Sequence, residues 1–300
     1  MADLQRLIIC NPAARRSRWQ PAVRYLSEQL RARGMAGEVV PARDWTSAMQ
    51  LARRAAEQGY RQVVAAGGDG TVNAVANGLV GSESALGVLP FGTGNVLAFN
   101  LGVAGVPAAL EALEADRRKR LDLGKIGGSR YFVALAGVGF DAQVARSVHG
   151  FWKQSVGRLA FLTEGLNRLH RDRPHLFHID LEGDDCTVVE EELWSAFFCN
   201  VPAHTGRIPM VREARPDDGW LHLLLFRDVN AVRWAFGVGD ALRTGDWGAV
   251  PGVSVQRVKK ASIRTEPPWL WEADGDVGGE TPVEVEVCPG ALQVVTGEAA

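Results

Sequence analysis

Two glycine-rich segments contain the residues best suited to binding a phosphate group. Residues 67–73 read Gly-Gly-Asp-Gly-Thr-Val-Asn and residues 90–95 read Pro-Phe-Gly-Thr-Gly-Asn, each directly after a short apolar run. Glycines permit positive φ and place no side chain between backbone N–H groups and an incoming anion. A helix that begins in such a segment presents its positive end to the same anion. The two segments therefore predict a phosphate site, in which Asp69 is suited to holding Mg²⁺ or orienting a hydroxyl group.

The first segment also has a purely structural interpretation. It would then be a tight turn from strand to helix, with Asp69 as the helix N-cap. Two consecutive glycines at a helix start would destabilise such a turn, which favours the phosphate site. The segment is not a Walker A loop, because it lacks Gly-Lys-Ser/Thr, and it is not a GxGxxG dinucleotide fingerprint.

A third polar group follows the first apolar run of the chain. Asn11, next to Pro12, adds a side-chain amide, and Arg15, Arg16 and Arg18 come shortly afterwards. These arginines are suited to phosphate contacts, but a solvated run of charge explains them equally well. The whole chain offers no basic field for nucleic acid, because 33 Lys and Arg residues are balanced by 35 Asp and Glu residues.

The elements that must position these groups alternate between strands and helices over the first part of the chain. Short apolar runs predict strands at 7–9, 39–40, 63–66 and 86–89. Apolar residues at helical spacing predict helices between them, one starting near Trp19, one capped by Thr46 and one ending at Leu79. This alternation predicts a parallel sheet covered by helices, in which ligands bind at the carboxyl ends of the strands.

The second part of the chain contains runs that alternate apolar and polar residues, as half-buried antiparallel strands do. Strands are predicted at 131–138, 176–181, 188–200, 220–226, 253–265 and 283–287, with helical stretches at 151–170 and 229–243. We therefore predict two domains. An α/β domain spans 1–122, and 288–300 return to it; a mainly β domain, an antiparallel sandwich, spans 123–287.

The segments GGDGTVNAV and LPFGTGNVLAFNLG, with the late ADGD, resemble the diacylglycerol kinase catalytic domain. Bacterial lipid kinases share that domain with sphingosine kinases and ceramide kinases. The resemblance extends across most of the chain, from Ile8 to Val295. GGDGT alone also occurs in NAD kinases and, in similar form, in phosphofructokinases, and the GTGN block after LGVLP is what favours the lipid-kinase branch.

The resemblance implies that ATP binds in a cleft between the two domains, and that the β domain supplies a lipid pocket and the catalytic base. Asp69 is implied as a second catalytic residue. The residues expected to surround the nucleotide follow three strands: Asn11, Gly67, Gly68, Asp69, Gly70, Thr71, Asn73, Gly92, Thr93 and Asn95.

The ADGD segment falls where the family usually has Asp-Gly-Glu, whose carboxylate accepts the proton of the substrate hydroxyl. The resemblance therefore implies Asp276 as the base, one methylene shorter than Glu, with Glu280 as the reserve candidate. An Asp-Gly pair between strand-like runs is also a strong signal for a hairpin turn, and both interpretations can hold together.

The resemblance also implies magnesium. In bacterial members an Asp-Gly turn before a strand holds a structural Mg²⁺, so Asp218 would supply a carboxylate and Arg215 and Trp220 would supply main-chain carbonyls. Hard oxygen ligands suit Mg²⁺, but a metal-free turn fits the sequence equally well. Asp122 matches a family aspartate that ties into the catalytic magnesium network; a surface strand residue is the alternative.

The implied reaction transfers the γ-phosphate of ATP to a hydroxyl of a diacylglycerol-like lipid and gives a phosphatidate-like product. The alternatives are an NAD-kinase-like enzyme and a catalytically impaired protein that binds nucleotide or lipid. The alternative of a catalytically impaired protein stays open because of three departures from the family pattern. Asp276 replaces the usual Glu, and Val96 and Ala74 stand where the family usually has Asp and Glu.

Four cysteines lie far apart without a CxxC pair, and the first residues do not form a signal peptide, so we expect a cytoplasmic protein. The uncharged stretch 96–110 is too short and broken to span a bilayer, which needs about 20 apolar residues. An apolar stripe with basic flanks at 152–169 suits a membrane surface or a lipid pocket, although packing on the β domain is the favoured interpretation. Peripheral membrane contact and oligomerisation are left open.

Overall fold

A computed structural model describes residues 5–11, 19–35, 37–103, 105–140, 142, 173–205, 208–227, 241, 244 and 246–298. The predicted helix at 151–170 lies outside the described residues, and so do Arg15, Arg16 and Arg18. Of the predicted helix at 229–243, only Ala241 is described, and it is helical. The chain folds into two compact units. One comprises Met1–Leu123, Thr205–Arg207 and Pro289–Ala300, and the other Gly124–His204 and Ile208–Cys288.

Among the described residues, helices and strands alternate over the first unit, and strands predominate in the second. The helices are α1 Trp19–Ala32, α2 Trp45–Glu57, α3 Asp69–Leu79, α4 Val96–Asn100 and α5 Val106–Ala115. The strands are β1 Arg6–Cys10, β2 Glu38–Pro41, β3 Gln62–Gly67, β4 Ala85–Pro90, β5 Arg118–Ile126, β6 Arg130–Phe132, β7 Leu135–Gly139, β8 His175–Glu182, β9 Thr187–Cys199, β10 Ala203–Thr205, β11 Ile208–Pro209, β12 Leu221–Arg227, β13 Val253–Val258, β14 Lys260–Glu266, β15 Leu270–Ala273, β16 Asp276–Glu280 and β17 Val283–Val295.

The first unit contains a parallel sheet, as the alternating pattern predicts, and its strands follow the order β4-β3-β1-β2. The end of β17 adds a parallel strand beside β4, where Val294 pairs with Leu86. The strands β1, β3 and β4 are buried along nearly their whole length, which is typical of parallel strands covered on both faces. These strands are buried because their sequences are continuous apolar runs.

Helix α2 begins earlier than the sequence analysis expects. Its N-cap is Asp44, whose carboxylate accepts a hydrogen bond from the Ser47 amide at 2.7 Å. The Ser47 hydroxyl accepts one from the Asp44 amide at 2.9 Å, which completes a capping box. The prediction of Thr46 as the cap is therefore wrong, because two reciprocal hydrogen bonds satisfy more of the orphan amides than a single hydroxyl can.

The second unit is antiparallel. Strands follow the order β16-β15-β7-β9-β8-β14-β17, and β12 pairs with both β9 and β13. Alternate residues of these strands meet in an apolar core, whose largest fully buried side chains are Phe132, Phe177 and Phe198. This confirms the predicted class, a parallel α/β unit followed by a mainly β unit.

Two predicted strands are each divided in the structure. The run 131–138 becomes β6 and β7, because the amides of Val133 and Ala134 donate to the carboxylate of Asp274 instead of to a neighbouring strand. The run 253–265 becomes β13 and β14, which pair with different strands on either side of Lys259. An unbroken apolar pattern does not reveal where a strand changes its partner.

Within the described residues, no helix is long and apolar enough to cross a bilayer.

The four cysteines are free thiols with very different environments. Burial raises the pKa of the Cys10 thiol to about 12 and also raises the pKa of the Cys199 thiol, whereas Cys186 is exposed.

Because the thiolate is the nucleophile, we expect iodoacetamide at pH 8 to modify Cys186 in the folded protein and to spare Cys10 and Cys199. Peptide mass spectrometry before and after denaturation measures this, and equal native labelling of Cys10 and Cys186 would contradict it.

Candidate active site

The two glycine-rich segments follow neighbouring strands of the parallel sheet. Gly67 at the end of β3 is opposite Pro90 at the end of β4, and the Phe91 amide donates to the Gly67 carbonyl at 2.9 Å. The end of β1 lies on the other side of β3, so Asn11 also follows this edge. The structure therefore brings all three predicted phosphate-binding segments to one sheet edge.

The two segments touch each other through their glycines. A Cβ on Gly92 would lie 2.5 Å from the Cα of Gly68, and a Cβ on Gly94 would lie 2.5 Å from Oδ2 of Asp69. Real Cβ atoms do not approach other atoms that closely. Glycine is therefore required at these positions by the contact between the segments, in addition to any ligand.

Asp69 connects the two segments through its carboxylate. Oδ2 accepts a hydrogen bond from the Asn95 amide at 2.9 Å, and Oδ1 accepts one from the Val96 amide at 2.6 Å. Val96 is the first residue of α4, so Asp69 caps that helix from the neighbouring segment. The N-cap of its own helix, α3, is Gly68, and the interpretation of Asp69 as the cap of α3 is therefore wrong.

Asn95 closes the second segment into a compact loop. Its backbone is left-handed (φ 51°, ψ 46°), which asparagine tolerates better than most residues. Its side-chain Oδ1 accepts from the Gly92 amide and its Nδ2 donates to the Gly92 carbonyl, both at 2.9 Å. Thr93 lies at the exposed tip of this loop, where its hydroxyl is accessible to a ligand.

Two of the predicted nucleotide contacts are buried in the supporting structure. Asn73 is 2% exposed, and its Oδ1 accepts from Trp45 Nε1 at 3.0 Å and from Asn77 Nδ2 at 3.2 Å. Thr71 is also buried, and its side chain lies over Gly67 so closely that a Cβ there would overlap it. A direct nucleotide contact by either residue stays a prediction, and sequence reasoning missed Trp45 as the partner that fixes Asn73.

The start of α3 fits a phosphate group. No side chain caps the helix, because its N-cap is Gly68, so no side-chain oxygen competes with an anion at the helix start. Gly70 is exposed, and a Cβ there would meet nothing within 4 Å, so the space beside the helix end is open. Backbone donors, the helix dipole and open space together match the requirements of a phosphate.

In the second unit, the ADGD segment forms a tight hairpin between β15 and β16. Asp274 (φ 49°) and Gly275 (φ 86°) occupy the two left-handed positions of the turn, and Ala273 pairs with Asp276. The interpretation of Asp-Gly as a hairpin signal is therefore confirmed. Asp276 is the first residue of β16, immediately after the turn.

Asp274 holds this hairpin against the start of β7. Its carboxylate accepts hydrogen bonds from the amides of Val133 at 2.8 Å, Ala134 at 2.9 Å and Leu135 at 3.0 Å. The Asp274 amide donates in turn to the Leu135 carbonyl at 2.8 Å. Sequence reasoning treated Asp274 only as a turn residue, because its partners lie some 140 positions away in the chain.

The two candidate bases lie at opposite ends of β16. Asp276 Oδ2 accepts from Arg130 Nη2 at 3.0 Å, and 40% of its side-chain surface is exposed. Glu280 pairs with Leu270 at the far end of the strand, about 13 Å away at the ordinary rise per residue. One reacting group cannot reach both carboxylates, so the two assignments exclude each other.

The predicted structural magnesium turn precedes β12. Oδ1 of the exposed Asp218 accepts from the Trp220 amide at 3.0 Å, and Gly219 takes the left-handed backbone (φ 77°) that the turn requires. Arg257 and Lys259 lie over the Trp220 ring at 4.7 and 4.6 Å, so only its main-chain carbonyl is suited to a cation. Across the described ranges, no group of three or more His, Cys, Asp or Glu side chains could hold a metal. One carboxylate with main-chain carbonyls, including that of Arg215, remains chemically suited to Mg²⁺.

Asp122 lies in β5 and is only 4% exposed, which excludes the alternative of a surface strand residue. Its Oδ1 accepts a hydrogen bond from the Gly290 amide at 2.7 Å, and Gly290 has a left-handed backbone (φ 58°). The carboxylate therefore joins β5 to the returning C-terminal segment. Its link to a catalytic magnesium network stays a prediction.

Comparisons with known proteins agree with the two-unit fold. Residues 5–126 match the diacylglycerol kinase catalytic domain family, and residues 134–296 match the YegS C-terminal NAD kinase beta sandwich-like domain family. A diacylglycerol kinase of Staphylococcus saprophyticus is 30% identical over 236 residues, which cover 77% of this chain and 75% of the relative. A YegS-like lipid kinase of Chromohalobacter salexigens is 35% identical over 191 residues, which cover 62% and 60%.

The solved structures show the same architecture at lower identity. A crystal structure of a Bacillus anthracis protein assigned as a diacylglycerol kinase has a TM-score of 0.82. It is 21% identical, and the match covers 99% of this chain and 96% of that one. This similarity supports the fold.

The contact between Gly68 and Gly92 makes a stability prediction. We expect Gly92→Ala to lower the free energy of unfolding by about 1–3 kcal/mol, because the new Cβ must push apart two backbones. Gly70→Ala is the control, since its Cβ meets nothing and alanine favours a helix, so the free energy should stay equal or rise by about 0.5–1 kcal/mol. Urea denaturation followed by circular dichroism measures both, and equal midpoints would contradict the prediction.

A second stability prediction concerns Asp274. We expect Asp274→Ala to lower the free energy of unfolding by about 1–3 kcal/mol, because three backbone N–H groups lose their acceptor. The control is Asp184→Ala, which removes an exposed carboxylate paired with Arg257 in the same unit and should change stability by less than about 1 kcal/mol. Thermal denaturation of both variants tests this, and a control as unstable as Asp274→Ala would refute it.

Proposed function

Because the chain belongs to the diacylglycerol kinase catalytic-domain family and carries a YegS-type C-terminal domain, we propose that it phosphorylates a diacylglycerol-like lipid. Membership of this kinase family implies that ATP is the phosphate donor. The product would be a phosphatidate-like phosphomonoester. The observation that carries the proposal is the pair of glycine segments joined by Asp69 at the edge of the parallel sheet.

The first unit is proposed to hold the triphosphate. The uncapped start of α3 supplies backbone donors at Gly68–Gly70 and the positive end of a helix dipole. Thr93 supplies a hydroxyl from the exposed tip of the second loop. Asp69 and Asn95 keep the two loops in register, so the donors are preorganised before ATP arrives.

The second unit is proposed to supply the base. The proton of the lipid hydroxyl passes to the Asp276 carboxylate, and the lipid oxygen forms a bond to the γ-phosphorus. The bond from that phosphorus to the β,γ-bridging oxygen breaks, and ADP leaves. Since phosphoryl transfer has a loose transition state, catalysis comes mainly from positioning and from charge stabilisation. The ordered hairpin that carries Asp276 supports this role.

Magnesium is part of the proposal. When bound with ATP, Mg²⁺ neutralises charge on the phosphate oxygens. A second, structural Mg²⁺ would be held by the Asp218 carboxylate with the carbonyls of Arg215 and Trp220. Asp122, with its buried carboxylate, is proposed to support the catalytic magnesium network from β5.

Contact with a membrane surface also belongs to the proposal. A diacylglycerol-like substrate resides in a bilayer, so the enzyme must meet its acceptor at the lipid surface. Binding is then peripheral, and it is expected to depend on the lipid composition of the surface. Self-association of the enzyme at that surface is compatible with the same role.

The proposal is tested by supplying radiolabelled ATP and Mg²⁺ with vesicles that contain diacylglycerol, ceramide or sphingosine, and separately with NAD. We expect label in a lipid, most strongly in diacylglycerol. We expect Asp276→Ala to lower lipid labelling by about a hundred-fold or more with unchanged ATP affinity, because only proton transfer is lost.

Labelling of NAD alone would instead favour the NAD-kinase-like alternative. Tight ATP binding with no labelled acceptor would favour a catalytically impaired binding protein. Full turnover by Asp276→Ala would reject Asp276 as the base while leaving the kinase assignment in place. Glu280→Ala distinguishes the reserve base, because it should retain activity if Asp276 is correct.

A further inference from the structure

The proposed base is engaged by a cation. Arg130 Nη2 donates to Asp276 Oδ2 at 3.0 Å, and the two side chains are 23% and 40% exposed. A charge-assisted hydrogen bond from an arginine to a carboxylate is among the stronger and more directional polar contacts in proteins. The partial exposure of Asp276 means that the contact leaves the carboxylate accessible to a substrate.

Arg130 comes from a tight turn rather than from a long loop. It begins β6 and pairs with Ile126 across the turn, which contains Gly127 (φ 61°) and Gly128 (φ 79°). The Gly127 amide also donates to the Glu284 carbonyl at 3.1 Å, which ties the turn to β17. The backbone that carries the guanidinium is therefore fixed on both sides.

One aromatic ring connects this turn with the strand of Asp276. A Cβ on Gly127 would lie 2.7 Å from the ring of Trp271, and a Cβ on Gly278 in β16 would overlap the same ring. The Trp271 ring therefore packs directly on both backbones. The Asp274 carboxylate adds a second connection, because it binds the amides that follow β6. Arg130 and Asp276 are thus held by a common set of contacts.

An aspartate that serves as a catalytic base depends strongly on the contacts that orient its side chain. An aspartate carboxylate has one rotatable bond fewer than a glutamate and reaches about 1.5 Å less far, so its backbone and its partner largely determine where it points. A proton acceptor has to lie within hydrogen-bond reach of the hydroxyl that it deprotonates. An arginine that fixes the orientation of the carboxylate therefore affects the rate without touching the lipid.

We propose that Arg130 is the positioning residue for Asp276 in phosphoryl transfer. This inference rests on the proposed function, in which Asp276 is the base. In this role Arg130 affects phosphoryl transfer through the Asp276 carboxylate, so its removal should slow the reaction only while that carboxylate is present. The geometry that carries the inference is the 3.0 Å contact together with the shared anchoring by Trp271 and Asp274.

The test is a double-mutant cycle in the labelling assay with ATP, Mg²⁺ and diacylglycerol vesicles. We expect Arg130→Ala to lower kcat by about ten- to a hundred-fold and to leave KM for ATP unchanged, because it disturbs a supporting contact. Arg130→Lys should retain part of the activity. In an Asp276→Ala background, Arg130→Ala should cause no further loss. Added guanidinium ion should restore part of the turnover of Arg130→Ala and none of that of Asp276→Ala.

Arg227→Ala is the matched control. Arg227 pairs with Glu191 in the same unit, and the two side chains have similar exposures of 34% and 42%. This variant should keep the wild-type kcat. Its melting temperature is compared with that of Arg130→Ala, so that the effect of losing a surface ion pair on stability is separated from the effect of losing the positioning of Asp276 on kcat.

Each outcome decides between distinct conclusions. An inactive Asp276→Ala with a fully active Arg130→Ala would overturn the positioning role and leave the proposed function intact. A fully active Asp276→Ala would overturn the base assignment itself, and the positioning role with it. Losses that multiply in the double variant would mean that Arg130 acts independently of Asp276, and they would overturn the inference. An absence of guanidinium rescue would also overturn it, because a soluble guanidinium ion should replace the missing donor to the Asp276 carboxylate.

Discussion

The first unit depends on two hydrogen bonds from one loop to the carboxylate of Asp69 in another. Without this acceptor, the amides of Asn95 and Val96 at the start of α4 would be left without a partner at the sheet edge. The same contact draws the two loops so close that Gly92 and Gly94 admit no side chain. The glycine pattern is thus partly a consequence of the carboxylate, since only bare backbone allows it to reach its donors.

This arrangement limits what Asp69 can do chemically. Its two oxygens each accept a backbone hydrogen bond, so any interaction with a cation or a hydroxyl must use the remaining lone pairs. Charge on Asp69 is offset by the dipoles of the amides that it binds. A role in shaping the loops and a role at the phosphates are compatible, but the shaping role comes first, because it exists before any ligand is bound.

The second unit uses the same device at its own turn. Asp274, like Asp69, precedes a glycine and directs its carboxylate to the backbone amides of a distant segment. In both motifs the aspartate joins its own segment to another part of the fold, whereas only Gly275 takes the left-handed backbone of a turn, because Gly70 lies in the first turn of α3. Asp276 gains a fixed position from this arrangement, because it follows a turn that is anchored by its own neighbour.

The sequence predicts the parallel unit, the antiparallel unit and the shared sheet edge, because strand and helix periodicities are local properties of the chain. It does not predict that Asn73 is buried, because α3 is enclosed on nearly all sides and its apolar pattern has no preferred face. The partners of Asp69 and Asp274 are also beyond its reach, since both carboxylates bind residues remote in the chain. The start of α2 was available from the Asp44–Ser47 spacing, which signals a capping box more strongly than Thr46 alone.

The departure from the family pattern at Asp276 also has a physical explanation in this chain. A glutamate at this position would carry its carboxylate about 1.5 Å farther from the strand. It would then lie beyond the place where Arg130 Nη2 contacts the Asp276 carboxylate. The glycines at 127 and 278 let the Trp271 ring pack closely on both backbones, which connects the turn before the arginine with the strand of the shorter acid. The loss of one methylene is thus matched by the residues around it, which argues against treating the aspartate as a sign of lost catalysis.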